Sequence, residues 1–263
     1  MDLGLKDKIA LVAAGSRGLG RAVAEELAAE GASLVLCARD ATTLAETTAA
    51  IADQTGAHVL GVPCDVTVAS QVKQLVASGI ERFGRIDILV TNAGGPPAGR
   101  FDQLTHEQWE EATRLTLYSA VHLAREVLPG MKTRRWGRIL NITSIAVKQP
   151  VENLLLSNSL RAGVTGFART LANEVATDGI TVNNILPGYT RTERLEDLAH
   201  MMAEKQGISA DEFRSRWEAE IPMGRLGEPH EFAALAAFLV SERASYITGT
   251  SIQIDGGWIR SLF

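Results

Sequence analysis

The chain has 263 residues, of which 46% are hydrophobic, and a formal net charge of -5. This length and composition suit one large α/β domain, while the acidic balance and the lack of a basic run argue against a nucleic-acid partner. No apolar run approaches the ~18 residues of a membrane helix, and the N-terminus lacks signal-peptide features, so we expect no membrane partner and a cytoplasmic location.

The two cysteines, Cys37 and Cys64, lie in or next to predicted strands. In a chain with so few cysteines, this placement is typical of small core residues. We therefore expect no disulfide and no metal site.

The first recognisable unit is an apolar run over residues 9–14 that predicts a buried parallel strand. A helix with apolar spacing follows and ends near Gly31. Between the two lies a glycine turn, which consists of Gly15, Ser16, Arg17, Gly18, Leu19 and Gly20. A strand, a glycine turn and a helix N-terminus bring free amide groups and the positive end of the helix dipole to one point, which favours the diphosphate of a dinucleotide. The alternative is a tight turn that binds nothing.

The end of the second predicted strand, Ser33–Ala38, indicates which dinucleotide fits. A fold of this kind that uses NAD normally has a carboxylate here to bind the ribose 2′-hydroxyl. This chain has Ala38 and Arg39 instead, and Arg17 lies in the glycine turn. Two guanidiniums suit a 2′-phosphate, so NADP(H) is the predicted cofactor. Alternatively, both arginines are ordinary surface residues, and Asp40 could pair with Arg39.

Two further strands, over residues 58–62 and 86–90, each end in a segment with binding potential. Asp65, followed by Val66, could accept a hydrogen bond from an adenine amino group or cap the next helix. After the fourth strand come Asn92, Ala93 and Gly94, small residues that leave room for a flat ligand. The alternation of strands and helices predicts a doubly wound parallel sheet with helices on both faces.

These motifs, together with Pro187-Gly188 and Asp255-Gly256-Gly257, resemble those of the classical short-chain dehydrogenases/reductases over essentially the whole chain. The nearest branch is the one called 3-oxoacyl-carrier-protein reductase-like. The resemblance implies a single-domain Rossmann fold over residues 1–263 with a seven-stranded sheet, a nicotinamide cofactor, and a homotetramer or homodimer. It also implies that the loop of Pro187, Gly188, Thr190 and Thr192 binds the nicotinamide carboxamide, and that residues from about 193 to 220 form a substrate lid.

The catalytic pattern of that family is asparagine, serine, tyrosine and lysine, and this chain departs from it. Ser144 matches the serine, whereas the family's spacing places Thr116, Ser157 and Arg161 at the other three positions. The glycine turn also differs, because Ala13 and Ala14 stand where the family has Thr-Gly. The resemblance therefore implies an altered site, in which Ser144 orients the electrophile, Ser157 donates a hydrogen bond and Arg161 holds the nicotinamide ribose.

The missing tyrosine leaves three hypotheses open. A serine hydroxyl is a far weaker acid than a phenol, whose pKa is about 10, and loss of a general acid costs on the order of 10²–10⁴ in rate. One hypothesis is an iminium substrate, formed directly or from a hemiaminal, whose reduction needs no proton. The second is a carbonyl substrate protonated by Tyr189 or Glu152, although Tyr189 could instead pack in the lid and Glu152 could complement a helix dipole. The third is an NADP(H)-binding regulatory or scaffold protein.

The remaining sequence predicts a helix over about 106–132 and a fifth strand, an apolar run that begins at Ile139 and ends at Ser144. After these it predicts a long helix from residue 157, a sixth strand over 179–187, a helix ending near 239 and a last strand over 251–255. The segment from 193 to 220 is polar and is predicted to be largely irregular. The side chains of this segment expected near the substrate, or in lid packing, are His200, Met201, Met202, Phe213 and Trp217.

Overall fold

The computed structural model describes residues 2–262 and shows one sheet of seven parallel strands. The strands are Ile9–Ala13 (β1), Ser33–Ala38 (β2), Val59–Pro63 (β3), Ile88–Thr91 (β4), Gly137–Ile142 (β5), Ile180–Pro187 (β6) and Ser251–Ile254 (β7). The α-helices are Gly18–Ala29 (α1), Ala41–Thr55 (α2), Ala69–Phe83 (α3), His106–Thr113 (α4), Ser119–Arg134 (α5), Leu155–Val175 (α6), Glu193–Gln206 (α7), Ala210–Glu220 (α8) and Pro229–Leu239 (α9).

The strand order is β3-β2-β1-β4-β5-β6-β7, and every neighbouring pair is parallel. The direction of winding reverses between β1 and β4, so the segments that follow these two strands border one crevice. Ligands of open α/β sheets bind at such a crevice. The predicted fold class, a doubly wound seven-stranded Rossmann sheet, is confirmed.

Each face of the sheet is covered by its own helices. One apolar cluster joins α1, α2 and α9 to the sheet, and a second joins α3, α5 and α6 to the opposite face. The strand β1 contributes to both clusters, with Val12 on one face and Leu11 and Ala13 on the other. Burial on both sides explains why β1 appears in the sequence as an unbroken apolar run.

The fifth strand begins two residues earlier than the predicted apolar run. It includes Arg138, whose side chain is buried next to the ring of Trp136 and lies 3.6 Å from the carboxylate of Glu242. Its guanidinium also donates to the backbone carbonyls of Gly137 and Ser241. A buried arginine with these partners is compatible with a strand, although its charge hides the strand from an apolar pattern.

The prediction of an irregular lid is wrong, because the segment forms the two helices α7 and α8. Thr192 and Ser209 cap their N-termini, and Gly207 ends α7 in the left-handed conformation. Between the helices lies an apolar cluster that includes Phe213 and Trp217. These caps and this small cluster stabilise helices whose sequence is otherwise strongly polar.

Three further properties concern the described part of the chain. Cys37 and Cys64 are buried and free. None of the helices within residues 2–262 is long and apolar enough to cross a membrane. The same residues contain no group of three or more His, Cys, Asp or Glu side chains arranged to hold a metal ion.

Candidate functional site

The glycine turn connects β1 to the N-terminus of α1 at the crevice. Ala14 adopts a left-handed backbone with φ 48°, which is unusual for alanine, and Gly18 begins α1 with φ 55°. The amide of Gly15 donates to the carbonyl of Cys37 at 3.0 Å, which ties the turn to the end of β2. Ala14 therefore occupies a strained left-handed backbone conformation in this turn.

The same region provides a close backbone approach and an open surface. A Cβ at Gly20 would overlap the carbonyl oxygen of Ala14 and lie 2.8 Å from Nδ2 of Asn92, so only glycine fits. Asn92 itself reaches across from the end of β4, with Nδ2 3.4 Å from the carbonyl oxygen of Ala14. In contrast, a Cβ at Gly94 would meet no atom of the described chain within 4 Å. The turn and the segment after β4 thus form a crevice with a flat backbone wall, which fits a dinucleotide.

The two arginines expected to select the cofactor lie at the outer end of this crevice. Arg17 donates to the hydroxyl of Thr43 at 3.0 Å and lies 3.6 Å from the carboxylate of Glu193. Both Arg17 and Thr43 line an open cavity of about 400 Å³. Arg39 is exposed and forms no ion pair with any residue in the range 2–262. Asp40 does not pair with Arg39 but caps α2, and the amide of Thr43 lowers the pKa of its carboxyl.

Asp65 and Val66 follow the end of β3. The carboxylate of Asp65 accepts hydrogen bonds from the amide and the hydroxyl of Thr67, at 2.9 and 2.8 Å. It does not cap α3, whose N-cap is Val68, so the capping alternative for Asp65 is wrong. Val66 is buried in the core below this turn.

Three of the expected catalytic residues lie around the carboxyl end of β5. Arg161 of α6 donates through Nη1 to the carbonyls of Ile142 and Thr143, at 3.1 and 2.9 Å, directly before Ser144. The Ser144 hydroxyl accepts from the amide of Ala146 at 3.1 Å, which leaves its hydrogen free to donate. Ser157, one turn before Arg161 on α6, is partly buried, and its hydroxyl has no hydrogen-bond partner within residues 2–262.

Arg161 is held in an electropositive environment. Burial lowers the pKa of its guanidinium to about 10, and the charge of Arg194 adds to this effect. The other N–H groups of Arg161 find no acceptor in the described chain. The group therefore stays charged near neutral pH and retains donors for a ligand.

Thr116, the fourth expected catalytic residue, lies in an irregular part of its helix. The predicted helix over about 106–132 is present as an uninterrupted helical stretch over 106–134, in which a π-helical turn over Arg114–Tyr118 joins α4 to α5. The Thr116 side chain is buried, and its hydroxyl has no partner within residues 2–262. It faces a cavity of about 10 Å³ that Asn92, Thr143 and Arg161 also line, a space that suits about one water molecule.

The loop after β6 returns to the glycine turn. A Cβ at Gly188 would lie 2.7 Å from Cα of Asp255, so this loop packs tightly beside the end of β7. Thr190 is buried, and its hydroxyl donates to the carbonyl of Gly188 at 3.3 Å, while the Thr192 hydroxyl caps α7. The methyl of Thr192 lies 3.8 Å from the position of a Cβ at Gly18. The loop that begins at Pro187 therefore closes over the start of α1.

The two expected proton donors are not placed for that role. The ring of Tyr189 stacks on Trp217 with centroids 5.1 Å apart, and burial raises the pKa of its hydroxyl to about 12. The Glu152 carboxylate is exposed and pairs with Arg100 at 3.2 Å. Glu152 also lies just before the N-cap Leu154 of α6 and outside its first turn, and the suggested helix-dipole role stays a prediction. The structure favours lid packing for Tyr189.

The lid side chains divide into an inner and an outer group. Phe213, Trp217 and Met202 belong to the apolar cluster between α7 and α8, which is the lid-packing alternative. His200 and Met201 are exposed.

Sequence reasoning missed Arg194, whose guanidinium contacts the backbone of Gly95 just after Asn92-Ala93-Gly94. A Cβ at Gly95 would overlap this guanidinium. A signal was present in the sequence, because Arg194 is a cation in the first turn of a helix that also begins with Glu193. The helix dipole disfavours cations at that position.

Comparison with known proteins agrees with this arrangement. A family model described as "Enoyl-(Acyl carrier protein) reductase" matches residues 13–259. The 3-oxoacyl-[acyl-carrier-protein] reductase FabG of Vibrio cholerae is 35% identical over 256 residues, which cover 97% of this chain and 98% of that protein.

Two solved structures are similar over nearly their whole length. The L-sorbose reductase of Gluconobacter frateurii, in complex with NADPH and L-sorbose, superposes with a TM-score of 0.96 at 35% identity, covering 100% of both chains. An actinorhodin polyketide ketoreductase with NADPH gives a TM-score of 0.93 at 32% identity, covering 97% of this chain and 98% of that one. The chain therefore belongs to the short-chain dehydrogenase/reductase family.

Proposed function

We propose that the protein is an NADPH-dependent reductase that transfers hydride to the carbonyl carbon of a small molecule. The observation that carries this proposal is the placement of Arg161. Its guanidinium is fixed on the last carbonyls of β5 beside Ser144 and keeps unused donors. Preorganised donors near a reacting carbonyl stabilise the negative charge that develops on its oxygen.

The cofactor proposal rests on the crevice and on the relatives. The glycine turn and the N-terminus of α1 would hold the diphosphate, Arg17 and Arg39 the 2′-phosphate, and Asp65 and Val66 the adenine. The remainder of the cofactor would be lined by Asn92, Ala93, Gly94, Pro187, Gly188, Thr190, Thr192 and Arg161. When bound, NADPH supplies the hydride. The L-sorbose reductase and the actinorhodin ketoreductase both bind NADPH, which supports this choice.

The substrate oxygen would be held by three groups of this chain. Ser144 has a free hydroxyl hydrogen, and Ser157 has a hydroxyl without a protein partner. Arg161 adds a full positive charge that remains at neutral pH despite its lowered pKa of about 10. A hydrogen bond from a charged donor is stronger than one from a neutral hydroxyl, so Arg161 compensates in part for the missing tyrosine.

The proton for the alkoxide would come from water rather than from Tyr189 or Glu152. The cavity of about 10 Å³ between Thr116 and Arg161 has room for about one water molecule and is lined by polar groups. The buried Thr116 hydroxyl, which has no protein partner in the described chain, would hold this water. Such a water can give a proton to the alkoxide next to the charged Arg161, and the hydroxide that remains would take up a proton from bulk water.

A carbonyl acceptor fits the charge of the site better than an iminium ion. Arg161 and Arg194 interact electrostatically, and neither forms an ion pair with a carboxylate of residues 2–262. Two unneutralised guanidiniums repel a cationic substrate and attract an oxyanion. The iminium hypothesis therefore becomes the second candidate.

The test is NADPH oxidation against a panel that pairs ketones with cyclic iminium compounds of similar size. We expect turnover of at least one ketone and slower turnover of its iminium partner. Turnover of iminium compounds alone would overturn the carbonyl proposal. Tight NADPH binding without turnover of either set would support the regulatory or scaffold alternative.

The assembly state is a proposal from the family resemblance. We propose a homotetramer or homodimer, which light scattering after size-exclusion chromatography would test. The cytoplasmic location predicted from the sequence stays a prediction.

A further inference from the structure

Arg194 carries a charge that its protein surroundings do not neutralise. It lies in the first turn of α7, at the positive end of the helix dipole, where a cation is disfavoured. Glu193 and Glu196 on the same helix are engaged elsewhere, with Arg17 and Arg214 respectively, and Asp197 forms no ion pair with Arg194. Arg194 itself forms no ion pair or hydrogen bond within residues 2–262.

The position of this guanidinium connects the lid to the reaction end of the crevice. It contacts the backbone of Gly95, which follows β4, and its charge reaches Arg161 on α6. Partial desolvation also lowers the pKa of Arg194. The Arg161 guanidinium lies on the carbonyl that directly precedes Ser144, and Arg194 is near enough to act on its charge. The side chain of Arg194 is exposed and so accessible to a ligand.

We propose that Arg194 binds a carboxylate of the substrate, so that the substrate is an oxo acid with its carbonyl at Ser144. The proposal rests on the reductase function proposed above. A planar guanidinium matches a carboxylate with two parallel hydrogen bonds, and such a pair is strong where solvent is partly excluded. An anion here would also relieve the repulsion between Arg194 and Arg161 and the unfavourable interaction with the α7 dipole.

The diphosphate of the cofactor is the other anion near this site, and the structure argues against it as the partner. The glycine turn and the amide groups at the start of α1 already provide donors for a diphosphate. The Arg194 guanidinium lies instead against Gly95 and acts on the charge of Arg161. The bound group is therefore expected to belong to the substrate.

The experiment compares acids with their methyl esters, because each pair differs in charge but not in the carbonyl. The probes are 2-oxobutanoate, 3-oxobutanoate and 4-oxopentanoate, each beside its methyl ester, bound to the NADP⁺ complex. Saturation-transfer NMR gives the dissociation constants, and a fluorescence titration gives the NADPH dissociation constant. The variant is Arg194→Met. The control is Arg191→Met, which removes an equal charge from a nearby exposed residue paired with Glu228.

We expect the wild type to bind at least one acid about tenfold or more tightly than its ester. Arg194→Met should abolish this preference, Arg194→Lys should restore part of it, and Arg191→Met should leave it intact. NADPH affinity should change little in all of them. No acid preference in the wild type, a preference that survives Arg194→Met, or a loss confined to NADPH affinity would each overturn the proposal.

Failure of this inference is distinguishable from failure of the reductase proposal. Turnover of the neutral esters with NADPH, in the absence of any acid preference, would leave the reductase function standing and remove the carboxylate site. Lack of turnover with every substrate would refute the reductase function, while the NMR binding constants would still decide whether Arg194 binds a carboxylate.

Discussion

Replacement of Arg161 by methionine should change the stability of this protein little and lower its activity strongly. The substitution removes two hydrogen bonds to the carbonyls of Ile142 and Thr143, which together contribute about 3 kcal/mol. It also removes a buried charge, and the lowering of its pKa to about 10 corresponds to a cost of about 3 kcal/mol for the charged form. The two terms nearly cancel, so the free energy of unfolding should stay within about 1.5 kcal/mol of the wild type.

The activity of Arg161→Met should fall much further. Loss of a preorganised donor at a developing oxyanion costs on the order of 10²–10³ in kcat. The assay is steady-state NADPH oxidation with a ketone that the wild type reduces. Arg169→Met is the matched control on the same helix, because within residues 2–262 the Arg169 side chain donates only to the carbonyl of Gly249. Equal activity in wild type and Arg161→Met would refute the role of Arg161.

The difference in stability between the wild type and Arg161→Met should also depend on pH. The pKa of Arg161 is lower in the folded than in the unfolded protein, so its cost is fully present below pH 10 and decreases as pH rises further. Urea denaturation at about pH 9 and about pH 11 should therefore show the wild type gaining about 1 kcal/mol relative to Arg161→Met. If the free energies of unfolding of the wild type and Arg161→Met differ by the same amount at both pH values, the folded protein does not disfavour the charge of Arg161.

Three further substitutions test other parts of the account. Gly20→Ala should destabilise the protein and weaken NADPH binding, because the new Cβ overlaps the Ala14 carbonyl. In the control Gly166→Ala on α6, the new Cβ meets no atom of the described chain within 4 Å, so this variant should be neutral or stabilised by up to about 1 kcal/mol. Equal unfolding midpoints of the two variants in urea would contradict this prediction. Thr116→Val should lower kcat while changing the free energy of unfolding by less than about 1 kcal/mol, because the Thr116 hydroxyl has no protein partner within residues 2–262 to lose. An unchanged kcat would show that the proposed water takes no part in the reaction. Joint replacement of Arg17 and Arg39 by methionine should weaken NADPH binding by about tenfold or more and leave NADH binding nearly unchanged. If fluorescence titrations show an equal loss of affinity for both cofactors, these arginines do not select NADPH.

The sequence predicted most of the sheet well because five of its seven strands, all but β3 and β7, are largely buried. Runs such as Ser33–Ala38 need no alternation to be recognised, and β2 has the predicted bounds. The exceptions are elements whose stability comes from partners distant in the chain. Arg138 joins β5 because Trp136 and Glu242 surround it, and α8 is helical because Ser209 caps it and Phe213 and Trp217 pack below.

For the site, the sequence located the segments but not the directions of their side chains. The resemblance to the short-chain family is what assigned Ser144, Ser157 and Arg161 to one site. The π-helical turn that buries Thr116, the packing of Tyr189 on Trp217 and the reach of Arg194 to Gly95 depend on tertiary contacts. No local pattern specifies such contacts, although a cation in the first turn of α7 was a usable signal.

The proposal that NADPH transfers a hydride to a carbonyl carbon is tested by following the hydride into the product. NADPH deuterated at both C4 positions is incubated with the protein and a ketone that it turns over, and the alcohol is analysed by NMR. The account predicts one deuterium on the carbinol carbon of the product and none elsewhere. An alcohol without deuterium at that carbon, or deuterium on another carbon, would contradict carbonyl reduction at this site.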